Sequence, residues 1–342
     1  MTTGYLYSPV FLAHEEEGHP ESPERLEAII RVLGETGVQA RLVALEPLPA
    51  TESQIQAVHS KDHIRGIREM VAHGGGQLDP DTYTNSHSLD AALLAAGAVM
   101  RGVDAVMSGE VNNAFALVRP PGHHATRNRA MGFCLFNNIA VAAAHARSVH
   151  GLDRVLIADY DVHHGNGTQD IFYADPHVLY FSTHQYPHYP GTGDWREIGE
   201  GEGRGYTVNA PLLPYVGDEG YQRLFDDLLY PVAERYRPQL ILVSVGYDAH
   251  WRDPLAMENL SLAGYTALAR TLIQLAQEQC EGRIVFVLEG GYDIPVCAHG
   301  VVNTFRALLG DADIPDPIGP ARRRSEDIGD YVEQLRGLHR LV

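Results

Sequence analysis

The 342-residue sequence is 44% hydrophobic and 20% charged and has no polar low-complexity tract, which excludes a wholly disordered chain and leaves two small domains or one large α/β domain. Lys+Arg 26 against Asp+Glu 44 gives a net charge of −18, so acidic a surface that it argues against nucleic acid as a direct ligand and favours cationic ones. No apolar run approaches the roughly 20 residues that cross a bilayer, the amino terminus shows no basic-then-apolar leader, and three scattered cysteines build neither a disulfide framework nor a structural zinc knuckle, so the expected location is cytoplasmic, with no membrane partner.

Taken in chain order, five apolar runs read as short strands buried on both faces: residues 114–118, 155–158, 178–181, 240–245 and 284–288. Helical patterns lie between them. Residues 139–149 are Ala-rich, 220–236 carry apolar spacing near the helical period, and 261–279 do the same with Gly282 just beyond as a stop signal. Strand and helix in alternation predict one α/β domain, with a mostly parallel central sheet flanked by helices in three layers, over residues 1–312. Residues 313–320 read as an extended Pro-rich connector. The rest of the extension, to residue 342, is expected to carry a short helix within 326–341.

Polar, chemistry-bearing residues cluster directly behind the apolar runs. After the first comes Arg-Pro-Pro-Gly-His123-His124, and after the second Asp159-Tyr-Asp161-Val-His163-His164-Gly-Asn166. The third is followed by Ser182-Thr-His184, the fourth by Gly-Tyr-Asp248 and the fifth by Glu289-Gly-Gly-Tyr292-Asp293. In a parallel sheet all carboxyl ends open on one edge, where ligands bind, so these distant clusters should meet in one crevice. An extended chain through Asp159, Asp161 and His163 would turn all three to one side. Asp161 and His163, with Asp248 from another strand end, make three oxygen or nitrogen ligands with a fourth position open, the pattern of a catalytic zinc. Read alone, Asp161 would cap a helix and His163 would be an ordinary loop histidine; recurrence behind nearly every strand favours the metal.

His123 and His124 read as a general base and its electrostatic partner. Asp159 behind one imidazole would raise its basicity, and Asn166 behind the other would not. The two glycines before Tyr292 allow a sharp turn that aims its phenol at an oxyanion. The bland alternative is a satisfied core tyrosine. Residues 131–138 suit an aromatic wall at a pocket mouth, with Phe136 equally well read as core.

These motifs, with His19-Pro-Glu-Ser-Pro-Glu-Arg25, Gly-Phe-Cys-Leu-Phe-Asn-Asn at 132–138 and Pro-Gly-Thr-Gly at 190–193, resemble the histone deacetylase superfamily, in order, over about residues 5–310. Asn166, where another branch has Asp, makes the chain resemble the class II branch and its bacterial relatives, which include acetylpolyamine amidohydrolases. The resemblance implies an arginase-like fold and a zinc amidohydrolase that removes acetyl groups from acetyl-lysine side chains or related acetylated amines. It places one zinc on Asp161, His163 and Asp248, the tandem pair on His123 and His124, their partners on Asp159 and Asn166, and the oxyanion donor on Tyr292. It implies a structural potassium ion with Asp159, Asp161 and Ser182 as side-chain ligands. Gly132, Phe133 and Tyr189 match the acyl-lysine channel, and Asp81 a rim acceptor for the substrate backbone. Leu255 stands seven positions after Asp248, where one branch carries Glu as an acidic gatekeeper, and so counts against polyamine preference, with the loop around Glu15–Glu17 as the other place a gatekeeper could come from. Rival expectations are a manganese ureohydrolase, which lacks a second ligand set here, and a non-catalytic acyl-lysine binding module. Bacterial relatives suggest a homo-oligomer.

Overall fold

A computed structural model describes residues 1–341. Among them ten strands form: β1 (Thr3–Leu6), β2 (Val43–Leu45), β3 (Gly75–Asp79), β4 (Thr82–Asn85), β5 (Asn113–Ala116), β6 (Val155–Asp159), β7 (Val178–Gln185), β8 (Thr207–Leu212), β9 (Leu240–Val245) and β10 (Ile284–Leu288). Eight of them make one sheet in the order β2-β1-β5-β10-β9-β6-β7-β8, and every neighbouring pair is parallel. The five strands legible as apolar runs occupy five consecutive places in this order, from β5 to β7. That follows from their burial: Ile284–Leu288 and Leu240–Val245 are buried at every residue, and a strand covered on both faces has no polar alternation. Neither edge carries that signal. β2 is three residues long and largely exposed, and β8 contains Asn209 and Pro211, with proline tolerated at an edge.

Two helical groups cover the sheet. Ser88–Met107 packs on Asn138–His150, and together they contact β1, β5, β6, β9 and β10. Leu262–Cys280 packs on β9 and on Ile294–Leu308, which in turn packs on Pro23–Glu35. The arrangement is the expected three-layer α/β domain. Phe115, Phe286 and Phe305 pack ring against ring at its centre, with the Phe115 centroid 5.7 and 5.3 Å from the other two, and truncating one such ring to Ala would cost about 3–5 kcal/mol.

The single helix expected over 220–236 is interrupted. It runs as Asp218–Leu224, a π turn over Phe225–Leu229, and Tyr230–Tyr236. Pro231 lacks the N–H an α-helix would require there and its ring crowds the preceding turn, so the helix widens ahead of it. The carboxyl-terminal extension lies on the body: Gly319 accepts from the Trp251 indole at 3.0 Å, and the helix Gly329–Leu338 buries Val332 and Leu335. No described helix is long and apolar enough to cross a membrane.

Candidate active site

The carboxyl ends of β5, β6, β9 and β10 meet around a cavity of about 220 Å³. His123, His124, His163, Tyr292, Gly132, Phe133, Tyr189, Leu255 and Asp81 all line it, joined by Pro121, His188 and Gly290. Asp159, Asp161, Asp248 and Ser182 are buried behind this lining. The extended run expected from Asp159 to His163 stops at Asp159, where β6 ends. Beyond it the chain curls, and the Asp161 N–H donates to Asp159 Oδ1 at 3.2 Å. The three side chains still converge, through a turn rather than through strand alternation.

The convergence is closest at His163. Its Nδ1 lies 3.1 Å from Asp161 Oδ1 and 3.2 Å from Asp248 Oδ2. Donors held by zinc at bonds of about 2.0 Å in a tetrahedron stand about 3.3 Å apart, so the spacing already fits a single ion. Backbone closes the cradle from below: a Cβ on Gly290 would sit 2.1 Å from Asp248 Oδ2, and one on Gly246 2.0 Å from Asp161 Oδ2. Without an ion, burial opposes charge on His163, but the two carboxylates prevail and lift it to about 10. Burial, and then Asp161, pushes Asp248 up, while His123 and His163 hold Asp161 below its usual range despite burial. A divalent cation would relieve this crowding of negative charge. His164, the next residue, is turned away onto Thr192 and Gln169. For the potassium reading, Asp159 and Ser182 are in register across β6 and β7. Their side-chain oxygens are already engaged by His123, Tyr180, His184 and the Asp161 N–H, and no orphaned acceptor among them calls for a second ion.

The tandem imidazoles differ as their partners do. His123 Nδ1 meets Asp159 Oδ2 at 3.0 Å, and His124 Nδ1 meets Asn166 Oδ1 at 2.8 Å. Burial disfavours charge on His123, yet Asp159, Asp161 and Glu289 raise it to about 10. Burial, reinforced by His123 and His163, drives His124 well below its ordinary value. The two partners therefore push the rings apart, His123 toward its charged form and His124 toward its neutral form. Gly132 permits this packing: its φ is 56°, and a Cβ there would fall 2.4 Å from His124 Cδ2. Phe133 follows at φ 69°, outside the range most side chains favour, and is held by its N–H to Thr82 Oγ1 at 3.0 Å. Phe133 and Tyr292 face each other edge to face at 5.8 Å. Burial, and then Asp248, pushes the Tyr292 phenol well up, so it remains a donor. Phe136 is core, buried against His59 and His63.

The structure adds residues that sequence reasoning missed. Arg25, fully buried, donates to the carbonyls of Gly291 at 2.8 Å and Glu289 at 2.6 Å and lies 5.2 Å from the Tyr292 ring centroid. Glu21 joins Arg25 to Arg119. Asp253 accepts from the Tyr292 N–H at 2.7 Å and the Leu255 N–H at 2.9 Å, fixing the phenol and a channel wall together. Glu289 accepts from the Gly122 N–H at 2.6 Å. His188 stacks on His163 at 5.3 Å and lies 3.0 Å from the Leu255 carbonyl. Arg25 and Glu21 stand in the amino-terminal motif, and Arg119 and Glu289 in the motifs behind β5 and β10, though the sequence alone gives them no role; Asp253 and His188 carry no signal.

Comparison with known proteins bears on this arrangement. Residues 19–308 match a family model described as "Histone deacetylase domain". A "Probable deacetylase" of Archaeoglobus fulgidus is 44% identical over 86% of this chain and 82% of its own. A "Histone deacetylase-like amidohydrolase" of Pseudomonas aeruginosa is 40% identical over 88% and 80%. The human "Polyamine deacetylase HDAC10" is 42% identical over 90% of this chain and 48% of its own. The solved structure titled "Crystal Structure of HDA15 HD domain" superposes with a TM-score of 0.90 at 36% identity, covering 99% of this chain and 94% of that one. The chain belongs to the histone deacetylase family.

Proposed function

We propose that the protein is a zinc-dependent deacetylase that hydrolyses acetylated amines, with the acetyl-lysine side chain as preferred substrate, and releases acetate. The observation that carries the reading is the approach of His163 Nδ1 to both Asp161 and Asp248, at 3.1 and 3.2 Å, on the wall of a cavity that His124 and Tyr292 also line. Asp161, His163 and Asp248 would hold the ion, and a bound zinc supplies Lewis acidity that polarises an amide carbonyl and acidifies water.

The chain's own residues supply the rest. Phe133, Tyr189 and Leu255 offer walls for an aliphatic stem and exclude water around the amide. The Asn166 carbonyl accepts a hydrogen bond from His124 Nδ1–H, which keeps the ring proton on Nδ1 and leaves Nε2 as the basic atom. His124, neutral, removes a proton from the attacking water at Nε2. The water oxygen joins the acyl carbon, and the Tyr292 hydroxyl donates to the oxygen that becomes negative. His124 then returns its proton to the departing nitrogen as the carbon–nitrogen bond breaks. His123, kept cationic by Asp159, favours the developing negative charge and stays protonated throughout.

A polyamine reading is favoured by the human polyamine deacetylase among the relatives, whereas Leu255 puts an apolar side chain, not a carboxylate, at its own place on the channel wall. Acetate release from acetyl-lysine peptides, acetylspermidine and acetylputrescine, compared by kcat/KM, separates the two. Turnover of the peptides above both polyamines supports the proposal. Binding of acetyl-lysine peptide without acetate release would overturn it.

A further inference from the structure

We propose that Asp104, His145 and His150 form a second divalent-cation site, of the zinc class, which ties the helices Ser88–Met107 and Asn138–His150 together. None of the three lines the channel, and the deacetylase reading makes no use of them. His145 Nε2 lies 2.7 Å and His150 Nε2 2.6 Å from the same oxygen, Asp104 Oδ1. The ligand atoms of all three residues lie within 4.8 Å of one another, and apart from Asp161, His163 and Asp248 no other set among the described residues does so. The rings meet nearly at right angles, 78° with centroids 5.7 Å apart, so the two Nε2 atoms enter one small volume from different directions.

Three features distinguish this cluster from an ordinary surface ion pair. No Lys or Arg among the described residues pairs with Asp104; its partners are the two imidazoles. Both contacts fall on Oδ1, which leaves Oδ2 without a hydrogen bond among the described residues. The side chains are graded in exposure, 9% for His145, 21% for His150 and 42% for Asp104, so the nitrogens are sheltered while the carboxylate faces water and an ion has a path in.

Two imidazoles and one carboxylate suit zinc, nickel or copper better than magnesium or calcium, which prefer all-oxygen shells. The donors need to spread only from 2.6 and 2.7 Å toward the roughly 3.3 Å of a tetrahedral zinc. Without an ion each Nε2–H donates to Asp104. With it, each ring proton moves to Nδ1, which has no partner among the described residues and can donate to water. That lack of outer hydrogen bonds sets the affinity roughly 10–100-fold below that of a fully supported site. His150 closes its helix just before Gly151 at φ 67°, so the ion would tie that end of the helix to Ser88–Met107.

Equilibrium dialysis of the full chain against zinc chloride, with bound metal counted by mass spectrometry, tests this. The unsubstituted protein should take up two zinc ions per chain. His150→Gln and Asp104→Asn, both at partly exposed positions, should each take up one, with acetate release unchanged. A protein carrying Asp161→Asn with Asp248→Asn should keep one, which separates the two sites. If instead the unsubstituted protein loses its sole zinc in His150→Gln, the flank site stands and the channel reading fails. Uptake unaltered by His150→Gln and Asp104→Asn, or reduced as much by His87→Gln at an exposed control position, would overturn the proposal.

Discussion

Replacing Glu21 by Gln should destabilise the protein by about 3 kcal/mol and slow it as well. Glu21, Arg25 and Arg119 are all fully buried. Glu21 Oε1 accepts from Arg25 at 3.1 Å and Oε2 from Arg119 at 2.9 Å. Burial alone would raise this carboxyl, but the two guanidiniums lower it from 4.5 to about 2. At about 1.36 kcal/mol per pH unit, that difference is roughly 3 kcal/mol of folding free energy held by the charged form. Because the folded value is depressed, this stability is present above pH 4.5 and is lost as the pH falls toward 2. Gln keeps the shape and removes the charge, leaving two buried cations short of a counter-ion, a change that in other proteins costs about 3–5 kcal/mol. Urea unfolding at neutral pH should show a lower midpoint at unchanged slope. Arg25 also holds the carbonyls of Gly291 and Glu289, so kcat should fall more than KM rises. A loss below about 1 kcal/mol, the range of exposed pairs, with kcat intact, would refute the reasoning.

Tyr292→Phe removes the proposed oxyanion donor and should lower kcat by about 10²–10³-fold, with metal content unchanged on elemental analysis. Gly132→Ala drives a methyl into His124 at 2.4 Å from Cδ2 and should cost about 10²-fold in kcat/KM while circular dichroism stays native. Leu255→Glu puts a carboxylate at the channel wall and should raise kcat/KM for acetylspermidine relative to an acetyl-lysine peptide, measured as acetate release; an unchanged ratio would place the determinant elsewhere.

The inner sheet was legible because strands buried on both faces cannot hide among polar residues: β9 and β10 run as read, and β6 differs by the one residue, Asp159, that begins the site. The edges and β1 were not, since β2 is three residues long, β8 contains Asn209 and Pro211, and β1 holds a glycine. Ser88–Met107 escaped too, being buried on most of its surface and so lacking a polar stripe to set its period. In the site, side chains carried on strand ends converge because the sheet is parallel. Those that brace them do not announce themselves. Arg25 reaches carbonyls more than 260 positions away, and Asp253 acts on the Tyr292 backbone from a loop. His188 was invisible because the loop beyond β7 brings it to its stacking partner, His163, which follows β6.

Chelating the purified enzyme and then restoring zinc in small additions, with acetate release from an acetyl-lysine peptide as the readout, is the most direct trial of the channel site. The His150→Gln protein serves here, so that one kind of site titrates. Release should be absent after chelation, rise linearly and level off at one zinc per chain, and stay absent in Asp248→Asn at every addition. Full release from the chelated protein, or recovery in Asp248→Asn equal to that of its parent, would contradict the account.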